Sequence, residues 1–188
     1  MSYTIKGNWK GGWALDIHTT DSIKLPNGKF KNTYTDIGES LNKLKYDNQY
    51  SEIDTLAKHV VTFLNTLMVT PYLHVIVPTP PSKQRRIQPV HEIAKKVSEK
   101  MNIPFDSNYV VKVKDTGQLK TIDNAQERSN LLNNAFTVSD SYKHKKVLII
   151  DDLFRSGSTL NELTKTMYNS GKVNNVYVVT LTKTRVHR

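Results

Sequence analysis

A chain of 188 residues, 37% of them hydrophobic, is long enough for one α/β domain with a substantial core and a small appended element. It has no cysteine, which excludes disulfides and thiolate metal sites and fits a reducing, cytoplasmic setting. No apolar run has the length of a membrane helix and no signal-peptide stretch is expected, while a formal net charge of +10 points to a polyanionic ligand, to nucleic acid, or to both. Residues 1–188 are expected to form a single domain, with residues 1–35 as a β-rich hood or hairpin and 36–188 as an α/β core.

Residues 13–19 alternate, with Leu15 and Ile17 on one face and Asp16 and His18 on the other. Pro26-Asn27-Gly28 supplies a turn, and Phe30 to Tyr34 is expected to return as a second strand. Asp16 and His18 then read as a solvated strand face, and Trp9 and Trp13 as hairpin packing rather than a platform for a base. A capping box at Asp36-Ile37-Gly38-Glu39 opens a helix carrying Ile37, Leu41 and Leu44, which runs out near Asp47. A longer amphipathic helix follows, whose apolar stripe is Ile53, Leu56, Ala57, Val60, Val61, Leu64, Leu67 and Met68. Leu73 to Val77 reads as a buried strand ended by Pro78.

The segment after that strand, Pro78-Thr79-Pro80-Pro81-Ser82-Lys83-Gln84-Arg85-Arg86, presents three cations on a proline-stiffened turn. Arg suits phosphate because its guanidinium fork matches two oxygens at once. The next helix, from Pro89 to Met101, turns Val90, Ile93, Ala94, Val97 and Met101 inward. Residues 111–128, with Lys112, Lys114, Lys120 and Arg128, read as an exposed hairpin, which the resemblance described below makes a closing flap.

The most informative stretch is Val147 to Thr159. Val147-Leu148-Ile149-Ile150 is a strand buried on both faces, as in a parallel sheet. Asp151 and Asp152 stand at its end, and Arg155-Ser156-Gly157-Ser158-Thr159 leads into a helix on which Thr159 and Glu162 form a capping box. A helix N-terminus with hydroxyl side chains around it is an anion site, and Gly157 lets the backbone approach a phosphate. Asp151 and Asp152 are acceptors for the vicinal hydroxyls of a ribose and can help hold magnesium. Val176 to Leu181 completes the sheet.

This stretch resembles the signature of type I phosphoribosyltransferases, in which hydrophobic residues precede two acids and a threonine-glycine loop. Phe154, Arg155 and Ser156 depart from that pattern. Val77-Pro78-Thr79-Pro80 with Lys83 to Arg86, Lys112 to Gln118, Glu127-Arg128, Ala135 to Val138 and Leu44-Lys45-Tyr46 are similar to the ComF-type (competence protein F) members, without their cysteine zinc ribbon. The resemblance implies a mainly parallel, Rossmann-like sheet flanked by helices with an N-terminal hood. It also implies transfer of 5-phosphoribosyl from phosphoribosyl pyrophosphate (PRPP), with magnesium, to a nitrogen of a base-like acceptor. Its site would be Asp151 and Asp152 as catalytic and magnesium-holding acids, Arg155, Ser156, Gly157, Ser158 and Thr159 on the 5-phosphate, and Lys83, Arg85 and Arg128 on pyrophosphate. A homodimer is a further expectation. The alternative is a regulatory or nucleic-acid-binding protein on the same fold in a DNA-related process. A Walker-type nucleotide site is disfavoured, because the chain has no such glycine-rich loop.

Overall fold

The computed structural model describes residues 2–82, 85–113 and 133–185. Four α-helices stand among these residues: α1 (Asp36–Tyr46), α2 (Glu52–Leu64), α3 (Pro89–Met101) and α4 (Ser158–Asn169). The strands are β1 (Tyr3–Thr4), β2 (Gly11–Ile17), β3 (Thr19–Lys24), β4 (Phe30–Tyr34), β5 (Val75–Pro78), β6 (Val110–Lys112), β7 (Phe136–Val138), β8 (Lys146–Phe154) and β9 (Asn175–Lys183). The central sheet has the order β1-β2-β9-β8-β5, parallel throughout except for the short β1 edge.

Strand alternation sorts the core into two layers. Val75 and Val77 of β5, Val147 and Ile149 of β8, and Val176 and Val178 of β9 face α4 with its Leu160, Leu163 and Met167. Ile76, Leu148, Ile150, Val179 and Leu181 face the other way, against Leu41 and Leu44 of α1, Leu56 and Val60 of α2, and Ile93 and Val97 of α3. Ile149 is fully buried in the middle of β8. Ile149→Ala should therefore lower unfolding free energy by about 2–5 kcal/mol, measured by urea melts, through lost transfer energy and the cavity left behind.

The hydrophobic patterns give the helices as expected, with two local corrections. Thr35, not Asp36, caps α1: its Oγ1 accepts from Gly38 N at 3.1 Å. Met68, expected on the buried stripe of α2, lies beyond that helix and is 92% exposed.

The N-terminal segment differs more. β2 does not fold back on β4. It joins the central sheet parallel to β9, with Trp13 opposite Val179 and Ala14 opposite Thr180. Leu15 is buried by α1 and α2 on one face, whereas Trp13 stacks on Tyr177 with ring centroids 6.4 Å apart. Trp9 meets Phe154 edge to face at 6.2 Å. Both tryptophans are thus sheet-packing residues. The hairpin is β3–β4, turning at Gly28 with φ of 78°, and it pairs outside the central sheet.

Two connections leave the sheet between β5 and β8 on opposite faces. From β5 the chain crosses through α3 to Pro104–Asp106, which pairs with β5 on the side away from β8: Ile76 N donates to Pro104 O and Asp106 N to Ile76 O. From β8 it crosses through α4, on the opposite face, to β9. The two crossovers diverge between β5 and β8, and ligands of open α/β sheets bind at the carboxyl ends of strands that part in this way.

Candidate phosphoribosyl site

At that divergence the strands are in register, Pro78 opposite Ile150, so the loop after β5 and the acids of β8 share one edge. Thr79 closes the gap: its N–H donates to Ile150 O at 3.0 Å and its hydroxyl to Asp151 Oδ1 at 2.6 Å. The same Oδ1 accepts from Asp152 N at 2.9 Å. β8 does not stop at the acids, as the sequence suggests, but continues to Phe154 in register with Lys183. Being successive strand residues, the two acids project to opposite sides. Asp151 turns to Thr79, and Asp152 to Lys45 in the last turn of α1, with which it forms an ion pair.

These settings separate the two carboxyls. Burial, and then the nearby Asp152 charge, push Asp151 up to about 6 against the donors on it. Asp152 keeps a cation beside it, on a side chain only 16% exposed. Lys45 belongs to the Leu44-Lys45-Tyr46 element, whose resemblance was visible in the sequence although its contact was not.

The loop beyond the acids leads into the N-terminus of α4. Gly157 takes φ of 75°, a left-handed conformation, and a Cβ there would lie 2.7 Å from Phe154 Cε2. Phe154, the bulky departure from the signature, is 4% exposed and lies in the core under the loop. Ser156 and Ser158 bring their hydroxyls within 2.9 Å of each other. The first helical bond runs from Asn161 N to Gly157 O, leaving the amides before it at the positive end of α4. The expected capping box is absent: α4 starts at Ser158 after Gly157, and Glu162 instead accepts from Asn134 N at 2.9 Å. Arg155 is exposed, and Thr159 is half-buried in the first turn. Asn8 braces this turn, donating from its N–H to Asn161 Oδ1 and from Nδ2 to Asn161 O.

Of the cations assigned to pyrophosphate, Arg85 is exposed on the β5–α3 loop. Lys83 and Arg128 lie outside the described residues, as does most of the 111–128 flap, whose approach and exit are the antiparallel pair β6–β7. His18, read from the sequence as solvent-facing, is half-buried near Asp152, and its Nδ1 lies 3.1 Å from Thr182 Oγ1. Thr79 lies in the Val77-Pro78-Thr79-Pro80 stretch whose resemblance was visible although its bond to Asp151 was not, and nothing in the sequence pattern marked Thr182.

Comparison with known families agrees with this geometry. The phosphoribosyl transferase domain matches residues 91–185, from α3 to beyond β9. The chain belongs to the phosphoribosyltransferase family. Within that family it is similar to competence protein F of Haemophilus influenzae, with 27% identity over 141 residues. The alignment takes in 70% of this chain but 61% of the length of that relative. Among solved structures, the adenine phosphoribosyltransferase of Leishmania donovani aligns with a TM-score of 0.48 at 9% identity, over 89% of this chain and 75% of that one. A hypoxanthine phosphoribosyltransferase from Staphylococcus aureus aligns at 0.44 and 18% identity, over 68% and 61%. Among the described residues of this family member, no helix is long and apolar enough to cross a membrane.

Proposed function

We propose that this phosphoribosyltransferase moves the 5-phosphoribosyl group of PRPP to a nitrogen of a base-like acceptor and releases pyrophosphate. The observation that carries the reading is the Thr79–Asp151 bond, which fixes the β5 loop and the acid-to-anion-loop stretch as one crevice. Arg155 to Thr159 receive the 5-phosphate at the N-terminus of α4. Asp151 and Asp152 accept from the ribose hydroxyls, and Lys83, Arg85 and Arg128 take the diphosphate. Displacement at the anomeric carbon develops positive charge on the sugar, which the acid pair offsets, while fixed geometry supplies alignment.

Magnesium fits this site in a limited form. The described residues hold no group of three or more His, Asp or Glu side chains suited to a metal, and the two carboxylates are already engaged by Thr79 and Lys45. The acids therefore serve an ion carried by the diphosphate, through the ribose hydroxyls and water, and magnesium supplies neutralisation of the leaving group.

Calorimetry with PRPP and magnesium, then a screen of bases for pyrophosphate release, tests the reading; no PRPP binding would overturn it. Lys83→Ala with Arg85→Ala should weaken PRPP by about tenfold or more while leaving ribose 5-phosphate nearly unchanged, by calorimetry on both ligands. Equal losses would remove the pyrophosphate role. The net charge of +10 favours a second reading, a regulatory or nucleic-acid-binding role with little transfer chemistry. Salt-dependent binding of DNA or RNA that survives loss of both acids would support it.

A further inference from the structure

His18 is held unusually firmly for a residue between two strands. Its N–H donates to Lys183 O at 2.8 Å, and its carbonyl accepts from Thr35 N at 3.4 Å. α1 presses on that carbonyl at Gly38, where a Cβ would come within 2.1 Å of the oxygen. Tyr34, returning on β4, sets its ring edge to face against the imidazole at 5.4 Å.

The hydrogen bonds fix the tautomer. Thr182 Oγ1 donates its one proton to Asp152 O at 3.1 Å. Its oxygen can therefore only accept from His18 Nδ1, which must carry the hydrogen. Nε2 is left with its lone pair, and no described residue takes it. Burial first and the Lys45 ammonium second keep the imidazole below its ordinary pKa, with Asp152 opposing, so the ring is neutral at pH 7. The charged or titratable groups around it are Lys45 from α1, Asp152 from β8 and the Tyr34 hydroxyl from β4. The acids are assigned above to the ribose hydroxyls, with Asp151 Oδ1 bonded to Thr79 and the Asp152 amide and Asp152 paired with Lys45, which leaves the imidazole for the acceptor's proton.

We propose that His18 Nε2 accepts the proton of the acceptor nitrogen during phosphoribosyl transfer, with the Tyr34 ring beside the incoming base. This rests on the transfer reaction proposed above. The nitrogen lone pair forms the bond to the anomeric carbon, and the carbon–oxygen bond to pyrophosphate breaks with its electron pair on the leaving group. The N–H bond then gives its electrons to the nitrogen as the proton passes to Nε2. The acceptor must therefore bear an N–H at the reacting nitrogen. Thr182 acts as a positioning residue.

Nitrogen NMR of the labelled protein reads the tautomer directly and is expected to show Nδ1–H. The Nε2–H form would overturn the proposal. Kinetics use adenine, hypoxanthine, guanine, uracil and orotate as acceptors. With the fastest of them, His18→Ala should lower kcat about 10²–10⁴-fold, leave PRPP binding by calorimetry unchanged, and recover on adding free imidazole. Wild-type kcat/KM should fall on an acid limb below pH 6.5, and His18→Gln should lose that contribution. A threefold or smaller loss, absence of imidazole rescue, or turnover of none of the bases by a protein that binds PRPP would each refute the role. Failure of the wild type to bind PRPP would instead refute the transfer reading.

Discussion

Asp151→Asn combined with Asp152→Asn should abolish PRPP-dependent pyrophosphate release, by about 10³-fold or more, while circular dichroism and melting show an intact fold. Both side chains keep their shape, and an asparagine Oδ1 at 151 can still accept from Thr79 and from the residue 152 amide. What is lost is negative charge at the ribose. Retained release would remove the acids from the site. The single Asp151→Asn variant adds a stability signature whose sign follows from its surroundings. A carboxyl at about 6 in the fold and 3.8 in the unfolded chain binds its proton more tightly when folded. Its ionisation thus destabilises the ligand-free protein at neutral and alkaline pH, and the penalty fades as the carboxyl is protonated on acidification. Asp151→Asn should raise the melting temperature at pH 8 and change it little at pH 4. A site residue that weakens its own fold is a usual mark of function.

Gly157→Ala should be the most damaging small change in the loop. The left-handed backbone at φ of 75° disfavours any side chain, and the new methyl would press on Phe154 at 2.7 and 3.1 Å. Strain and overpacking together should lower stability by about 2–4 kcal/mol. Because the clash displaces the backbone that leads into α4, 5-phosphate binding should fall with it. Calorimetry with ribose 5-phosphate checks the second effect and urea melts the first. The double variant Gly157→Ala with Phe154→Leu should recover part of the stability but not the binding, which separates the clash from the backbone strain.

What could be read from the chain was local. Val147 to Ile150 is continuous and apolar because both faces are covered, and the helical stripes of α1, α2 and α3 are regular, so these elements and the anion loop appear in the sequence. Pairing was less legible. Residues 13–19 and 30–34 look like one hairpin because nearby strands usually pair, yet β2 inserts beside β9 and leaves β3 to turn with β4. Alternation shows that Leu15 is buried but not by what. Caps were misplaced at Thr35 and Gly157, since several adjacent residues have the right side chains and only backbone angles choose among them. Lys45, Thr79, Thr182 and His18 reach the site from four separate elements. Their chemistry comes from neighbours distant in sequence, which periodicity does not encode.

The clamp between Asn8 and Asn161 joins positions 153 residues apart, and β2 finds its parallel partner only in β9. On a ribosome adding about 5–20 residues each second, β2 must therefore wait many seconds for β9. Until β9 emerges, Gly11–Ile17 lacks its parallel partner and the first turn of α4 lacks its Asn8 brace. Assembly of the candidate site thus waits on β9, and any chaperone that attends this chain has most to protect at β2.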